Sequence, residues 1–206
     1  MATMPKDPSS TEHVSDPAPL AGLRCELAVG KRQALALSML LTGRLNPASP
    51  AVEQFRIFAG QHHLSLDQTW IALQNDETVA SALLVPSAGR TAMAFLSPVS
   101  SQEHALKSGS LVRHACHAQD PANLRLIQTL LEPQQKHEVT ALTHAGFTHL
   151  ADLLYMERKS HLAFRPLALD DSFQVHHWHE KHRDLFAASI LASYEQTRDC
   201  PGLLGL

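Results

Sequence analysis

Apolar residues follow two different spacings along this chain, one typical of helices and one typical of strands. Between residues 50 and 63, Val52, Phe55 and Phe58 fall on one face of a helix that Pro50 can open. Short apolar runs bounded by turn residues, such as "TWIALQND", instead indicate strands. These patterns predict the following order: strand 23–30, helices 31–44 and 50–63, strands 69–76, 78–90 and 91–99, helix 100–119, strand 124–133, helix 136–146 and strand 147–158.

The lengths of the connections predict how these strands form a sheet. The turns between the three strands from residue 69 to residue 99 are too short for crossovers, so these strands form an antiparallel meander. The helix at 100–119 can cross over and place the strand at 124–133 parallel to the strand at 91–99. The predicted fold is therefore α/β, with a mixed sheet, an antiparallel meander followed by a parallel βαβ unit, and helices on both faces.

Composition indicates one main domain with additions at both ends. The chain has 206 residues, of which 44% are hydrophobic and 18% charged, and this balance supports a buried core. Residues 1–22 are rich in Pro, Ser, Asp and Thr, which predicts a disordered leader. Residues 23–160 would form the domain, and residues 161–206 a C-terminal extension. The apolar end of this extension suggests the start of a second, truncated domain.

Charge, hydropathy and cysteine spacing narrow the expected partners and location. The net charge is -3 at pH 7 without any block of Lys and Arg, so no nucleic-acid partner is expected. The longest apolar runs are too short to cross a bilayer, so no membrane partner is expected. Cys25, Cys116 and Cys200 are odd in number and far apart, which is not a disulfide framework. A reducing cytoplasm is the expected location.

Two groups of side chains offer alternative chemistry. Cys116 lies between His114 and His117, where a buried structural cysteine is expected and a Cys–His nucleophile pair is the alternative. The stretch "HHWHEKH" is the second group, for which exposed or packed histidines are expected and a zinc-binding module is the alternative. Its histidines are His176, His177, His179 and His182. No metal site is predicted.

One motif resembles a known family. "ALTHAGF" (141–147) followed by "LADLLYMER" (150–158) resembles the final helix, the Gly-Phe turn and the next strand of the GNAT N-acetyltransferase superfamily. Gly146 suits the left-handed residue that ends such a helix. The order of elements over residues 23–160 resembles the same family. "LASYEQTRDCP" resembles a link in longer acetyltransferase-like proteins that carry a second such domain. The expected protein partner is therefore a second GNAT-like domain or a second copy in a homodimer, and both alternatives stay open.

The resemblance implies acyl transfer from acetyl-coenzyme A (acetyl-CoA) to an amine. In the family, the fourth strand separates from its parallel neighbour and binds the pantetheine arm, and one of its backbone amides polarises the thioester carbonyl. Here that strand is 91–99. The implied cofactor-binding residues are Phe95, Leu96, Ser97 and Val99 along the arm, with Ser101, Gln102 and Lys107 near the pyrophosphate.

The chain departs from the family pattern at two places. "SSQEHALKSG" (100–109) lacks the paired glycines of the pyrophosphate loop and carries Glu103 in their place. Leu142 occupies the position where many members have a catalytic Tyr, and Tyr155 is an unsupported substitute, so no catalytic residue is assigned. The alternative is therefore a degenerate, non-catalytic GNAT-like domain with a structural or regulatory role, and whether the chain is an enzyme stays open.

Overall fold

A computed structural model describes residues 20–157 and 175–194 of the chain. The chain divides into two units after Thr148, and each unit is described here by itself. In these two described ranges, no helix combines the length and the apolar character needed to cross a membrane. Residues 1–19 of the predicted leader, and residues 161–174 and 195–206 of the predicted extension, lie outside the described ranges. The predicted domain boundaries therefore remain predictions.

The elements of the first unit follow the predicted order up to its last helix. The second unit contains a 3-10 turn at Glu180–His182 and helix α5 at Arg183–Tyr194. The bounds in the first unit are β1 Leu23–Leu27, α1 Lys31–Thr42, α2 Pro50–Gln61, β2 Thr69–Gln74, β3 Glu77–Ser87, β4 Thr91–Leu96, α3 Gln102–His117, β5 Leu126–Gln128 and α4 Lys136–His144.

The sheet has five strands in the order β1-β2-β3-β4-β5. Neighbouring strands from β1 to β4 are antiparallel, whereas β4 and β5 are parallel. Helix α3 makes the crossover between β4 and β5, because a parallel pair cannot be joined by a tight turn. The predicted mixed sheet, with its antiparallel meander and parallel βαβ unit, is confirmed.

Alternation along β2 sends its side chains to both faces of the sheet. Trp70 and Ala72 belong to a buried cluster with residues of α3 and α4. Ile71 and Leu73 belong to a second buried cluster that includes Ala36 of α1. Helices therefore cover both faces, as predicted, and every residue of β2 except its last is buried.

Helix α4 ends in a Schellman motif at the Ala-Gly-Phe sequence. Gly146 has a φ of 93°, a backbone conformation that residues with a Cβ rarely adopt. The Phe147 N–H donates to the Leu142 carbonyl at 2.9 Å, and the Gly146 N–H donates to the Thr143 carbonyl at 3.0 Å. Phe147 also packs against the cluster that contains Leu142. The left-handed residue predicted at Gly146 is confirmed.

Two predicted strands differ from the structure. The strand predicted at 124–133 is paired only over Leu126–Gln128. The strand predicted at 147–158 is wrong over residues 147–157, which form no strand. Apolar content and β-propensity predicted this strand, but a strand needs a partner to pair its backbone groups. Its apolar residues 153–156 are consecutive rather than alternating and are exposed, Leu154 by 85%, so they form no single buried face.

Candidate functional site

Strands β4 and β5 separate before β4 ends. Their pairing covers Thr91 with Leu126, Ala92 with Ile127 and Met93 with Gln128. Strand β4 then continues to Leu96, whereas β5 ends at Gln128. The separation opens a gap in the sheet directly beyond the last paired residues. This gap is where the resemblance places the pantetheine arm of the cofactor.

A cavity of about 660 Å³ occupies this part of the domain. Its size lies within the range of small-molecule sites, roughly 300–1,000 Å³. Most of its walls are apolar, and Glu138 is the single ionisable residue among the described residues that line it. The lining consists of Leu40 and Leu41 of α1, Phe55 and Phe58 of α2, Leu64 of the following loop, Leu83, Val85 and Ser87 of β3, residues 93–96 of β4, and Pro98, Thr129, Leu130, Leu131, Gln135 and Glu138.

The backbone of β4 presents an amide to the gap. The Ser97 N–H donates to the Ser81 carbonyl of β3 at 2.9 Å. Because successive backbone groups of a strand point to opposite edges, the Leu96 N–H points toward the β5 edge. Leu96 lies beyond Met93, the last residue of β4 that pairs with β5. The geometry therefore leaves the Leu96 N–H as a donor at the wall of the cavity.

Glu138 links α4 to the end of β4. It lies in the first turn of α4, where the helix dipole favours a carboxylate, and is only 8% exposed. Its Oε1 accepts a hydrogen bond from the Val99 N–H at 3.0 Å. Glu138 was not among the residues predicted from the sequence. The available signal was its position one turn before Leu142, on the helix face where the family pattern places a catalytic Tyr.

Several backbone donors at the start of α3 are already bonded within the protein. Ser101 caps the helix, since its Oγ accepts from the His104 N–H at 3.1 Å. The Ser100 N–H donates to His104 Nδ1 at 3.3 Å, and the Val99 N–H donates to Glu138. Three amides that could otherwise approach a phosphate are thus bonded within the protein. This arrangement fits the absence of glycines from the sequence at 100–108.

The predicted cofactor-binding residues occupy different environments. Phe95 and Leu96 line the cavity. Ser97 and Val99 are buried, and the Ser97 Oγ accepts from the Ser81 N–H at 3.1 Å. These two residues are therefore packed inside the protein next to the cavity and are not part of its lining.

The three residues predicted near the pyrophosphate lie at α3. Ser101 is its N-cap, and Gln102 is its exposed first residue. The Lys107 Nζ is 2.6 Å from Glu103 Oε1, in a separate hollow that also contains Thr78 and Val79. This ion pair is the first cause of the lowered pKa of Glu103. The cofactor-binding roles of all seven residues remain predictions.

The positions considered for a catalytic acid are occupied as follows. Leu142 is buried in the core between α3, α4 and the sheet. His144 lies with its Nε2 3.3 Å from Ser110 Oγ, and its carbonyl accepts a hydrogen bond from Arg113. Burial, and secondarily the charge of Arg113, lowers the pKa of His144, which favours the neutral imidazole. Tyr155 is exposed in the second unit. No catalytic acid is assigned from these positions.

Cys116 is partly buried on α3, as is Cys25 on β1. Burial raises the pKa of both thiols from 9.0 to about 11. Burial disfavours the charged thiolate, and the thiolate is the nucleophilic form. The structure therefore favours a packed structural cysteine at position 116 over a nucleophile paired with His114 or His117.

Alkylation with iodoacetamide should reflect these raised pKa values. At pH 7.5, a shift of about two pH units lowers the thiolate fraction about 100-fold, so Cys25 and Cys116 should react far more slowly folded than in urea. Raising the pH toward 11 should accelerate the folded-state reaction. Peptide mass spectrometry over a time course measures each site separately. Equal rates at Cys116 in folded and unfolded chains would contradict its burial.

In the histidine stretch of the second unit, His176, His177 and His179 are exposed and His182 is partly buried. The rings of His176 and His182 are 4.9 Å apart, and those of His179 and His182 are 6.5 Å apart. The Lys181 N–H donates to His179 Nδ1 at 3.2 Å. Across residues 20–157 and 175–194, no three His, Cys, Asp or Glu side chains are grouped so that they could hold a metal ion.

The strand order, the parallel β4–β5 pair and the gap beyond it agree with the mixed α/β sheet that the sequence resemblance implies. No family model matches the chain, and no curated protein matches it. Several solved structures are similar. A proposed acetyltransferase from Agrobacterium tumefaciens str. C58 is 19% identical with a TM-score of 0.44, over 66% of this chain and 99% of that one. A protein from Thermus thermophilus is 21% identical with a TM-score of 0.41, over 69% and 99%. A transcriptional regulator from Bacillus halodurans C-125 is 16% identical with a TM-score of 0.43, over 66% and 99%.

Proposed function

We propose that this chain is an acetyl-CoA-dependent N-acyltransferase that transfers an acyl group to an amine. The observation that carries the proposal is the gap beyond Met93 and Gln128, which opens into the apolar cavity and is bordered by the Leu96 N–H. An apolar channel with one backbone donor suits an acyl thioester, whose arm is mostly uncharged and whose carbonyl needs a hydrogen-bond donor.

The reaction that this geometry supports is direct attack. The amine nitrogen adds to the thioester carbon, the new C–N bond forms, and the C–S bond breaks with the thiolate as leaving group. The Leu96 N–H would donate to the carbonyl oxygen as negative charge develops on it, and such donors stabilise the transition state. Glu138, the carboxylate that lines the same cavity, would accept the proton that the amine loses, and the released thiolate would take up a proton from water.

A second candidate function is a non-catalytic GNAT-like domain with a structural or regulatory role. The observation that favours it is the start of α3, where Glu138 and His104 already accept hydrogen bonds from the Val99 and Ser100 amides. A diphosphate would have to displace these partners, and the cavity lining offers it no Lys or Arg among the described residues. A cytoplasmic location, and a second GNAT-like domain or a second copy as partner, belong to the proposal under both candidates.

Isothermal titration and a thiol-release assay separate the two candidates. Acetyl-CoA and S-acetylpantetheine should bind within about tenfold of each other, because the structure offers the nucleotide phosphates few free donors. Turnover with a panel of amines would support the acyltransferase, and binding without turnover would support the non-catalytic domain. No binding of either thioester at millimolar concentration would contradict the assignment of the gap as a thioester site.

A further inference from the structure

We propose that the cavity binds an apolar primary amine, with its ammonium group on Glu138 and its hydrocarbon part against α1, α2 and β3. The role of this amine as the acyl acceptor rests on the proposed acyltransferase function. Its binding in the cavity does not depend on that function, because the walls and the carboxylate are present whatever reaction the domain performs.

The walls define the apolar part of the ligand. Helix α1 contributes Leu40 and Leu41, and helix α2 contributes Phe55 and Phe58. Phe58 is 47% exposed although it faces this cavity, so part of its surface is available to a ligand. Each methylene group buried against such a surface is expected to raise affinity by up to about fourfold.

Glu138 defines the charged end of the ligand. Its Oε1 is fixed by the Val99 N–H, so the carboxylate is held in one place without a counterion among the described residues. Within the same part of the chain, no residue donates a hydrogen bond to Oε2. An ammonium supplies both positive charge and N–H donors, which a partly desolvated carboxylate requires. A carboxylate ligand would be repelled by Glu138. An alcohol would bind Glu138 more weakly than an ammonium, because it carries no positive charge.

The volume of the cavity and the apolar character of its walls limit the size and polarity of the ligand. A cavity of about 660 Å³ is large enough for a straight alkyl chain of about eight carbons with its headgroup. The apolar walls disfavour amines with a second charged or strongly hydrated group, because that group would exchange water for hydrocarbon without a compensating hydrogen bond. The acceptor class is therefore a hydrophobic monoamine rather than a polyamine.

Three probes of equal chain length test this proposal by isothermal titration with the full chain and no thioester. n-Octylamine should bind at least about tenfold more tightly than n-octanol, and n-octanoate should bind most weakly. In Glu138→Gln, the side-chain oxygen can still accept from Val99, so the fold and octanol binding should be kept while the preference for octylamine is lost. Glu53→Gln removes an exposed carboxylate of α2 outside the cavity and should change nothing.

Equal binding of the three probes, or a preference for octylamine that survives Glu138→Gln, would overturn the proposal. Thermal denaturation of both variants shows whether the fold is kept. Acetyl-CoA binding is measured separately, so the two proposals fail independently. Octylamine binding without thioester binding would support the amine site and contradict the acyltransferase. Thioester binding without octylamine binding would contradict the amine site alone.

Discussion

Gly109→Ala is expected to lower the free energy of unfolding by about 1–3 kcal/mol, although alanine is normally the better helix former. Gly109 lies in the middle of α3, where α4 crosses it. A Cβ at this position would lie less than 3.0 Å from the Ala141 carbonyl oxygen, and close to the His144 side chain. The carbonyl belongs to the backbone of a packed helix and cannot rotate away, so the two helices would have to separate.

The matched control is Gly60→Ala in α2. An alanine Cβ there meets no atom within 4 Å, and Gly60 is exposed. The substitution should raise the stability by up to about 1 kcal/mol, through helix propensity alone. Urea denaturation monitored by circular dichroism measures both variants. If Gly109→Ala were as stabilising as Gly60→Ala, the close packing of α3 on α4 would be contradicted.

Leu111→Ala is expected to lower the free energy of unfolding by about 2–5 kcal/mol. Leu111 is 0% exposed and belongs to the cluster between α3, α4 and the sheet. The sheet contributes mainly alanines to this cluster, at positions 72, 80, 82 and 94. Short side chains on paired strands cannot move into the space left by a leucine, so a cavity would remain. We therefore expect a value in the upper half of the range.

Leu45→Ala supplies the same chemical change at an exposed position. Leu45 is 49% exposed and lies in the loop between α1 and α2, so the substitution should change stability by no more than about 0.5 kcal/mol. Chemical denaturation of the two leucine variants under identical conditions makes the comparison. A loss below about 1 kcal/mol for Leu111→Ala would show that α3 does not pack on the sheet as described.

The order of elements could be predicted from the sequence because local signals and sheet geometry agree. Pro50 opens α2, Ser101 caps α3, and Gly146 ends α4 with a positive φ. The short connections at 75–76 and 88–90 leave no room for crossovers, so the meander follows from chain length alone. Helix propensity alone predicts that Gly109 destabilises α3. In the fold, however, the absence of a Cβ at Gly109 allows α4 to pack closely against α3.

The pairing of strands and the content of the cavity could not be predicted. The sequence at 147–158 has the composition of a strand, but a neighbouring strand decides whether such a segment pairs. The cavity combines residues from α1, α2, β3, β4 and α4, and its members share no local motif. Glu138 was missed because a carboxylate in the first turn of a helix is ordinarily an exposed, dipole-stabilising residue. Glu138 becomes part of the site because the fold brings the Val99 N–H within hydrogen-bonding distance of its carboxylate.

The most direct test of the proposed thioester site is a titration of the ¹⁵N-labelled chain with acetyl-CoA, followed through the backbone amide signals of β4. The Leu96 N–H points into the gap, whereas the Phe95 N–H points to β3, so the two neighbours serve as probe and internal control. We predict that the Leu96 amide shows the larger change and saturates with the titration. An unchanged Leu96 signal at saturating acetyl-CoA, or changes confined to residues outside the cavity, would contradict the proposed function.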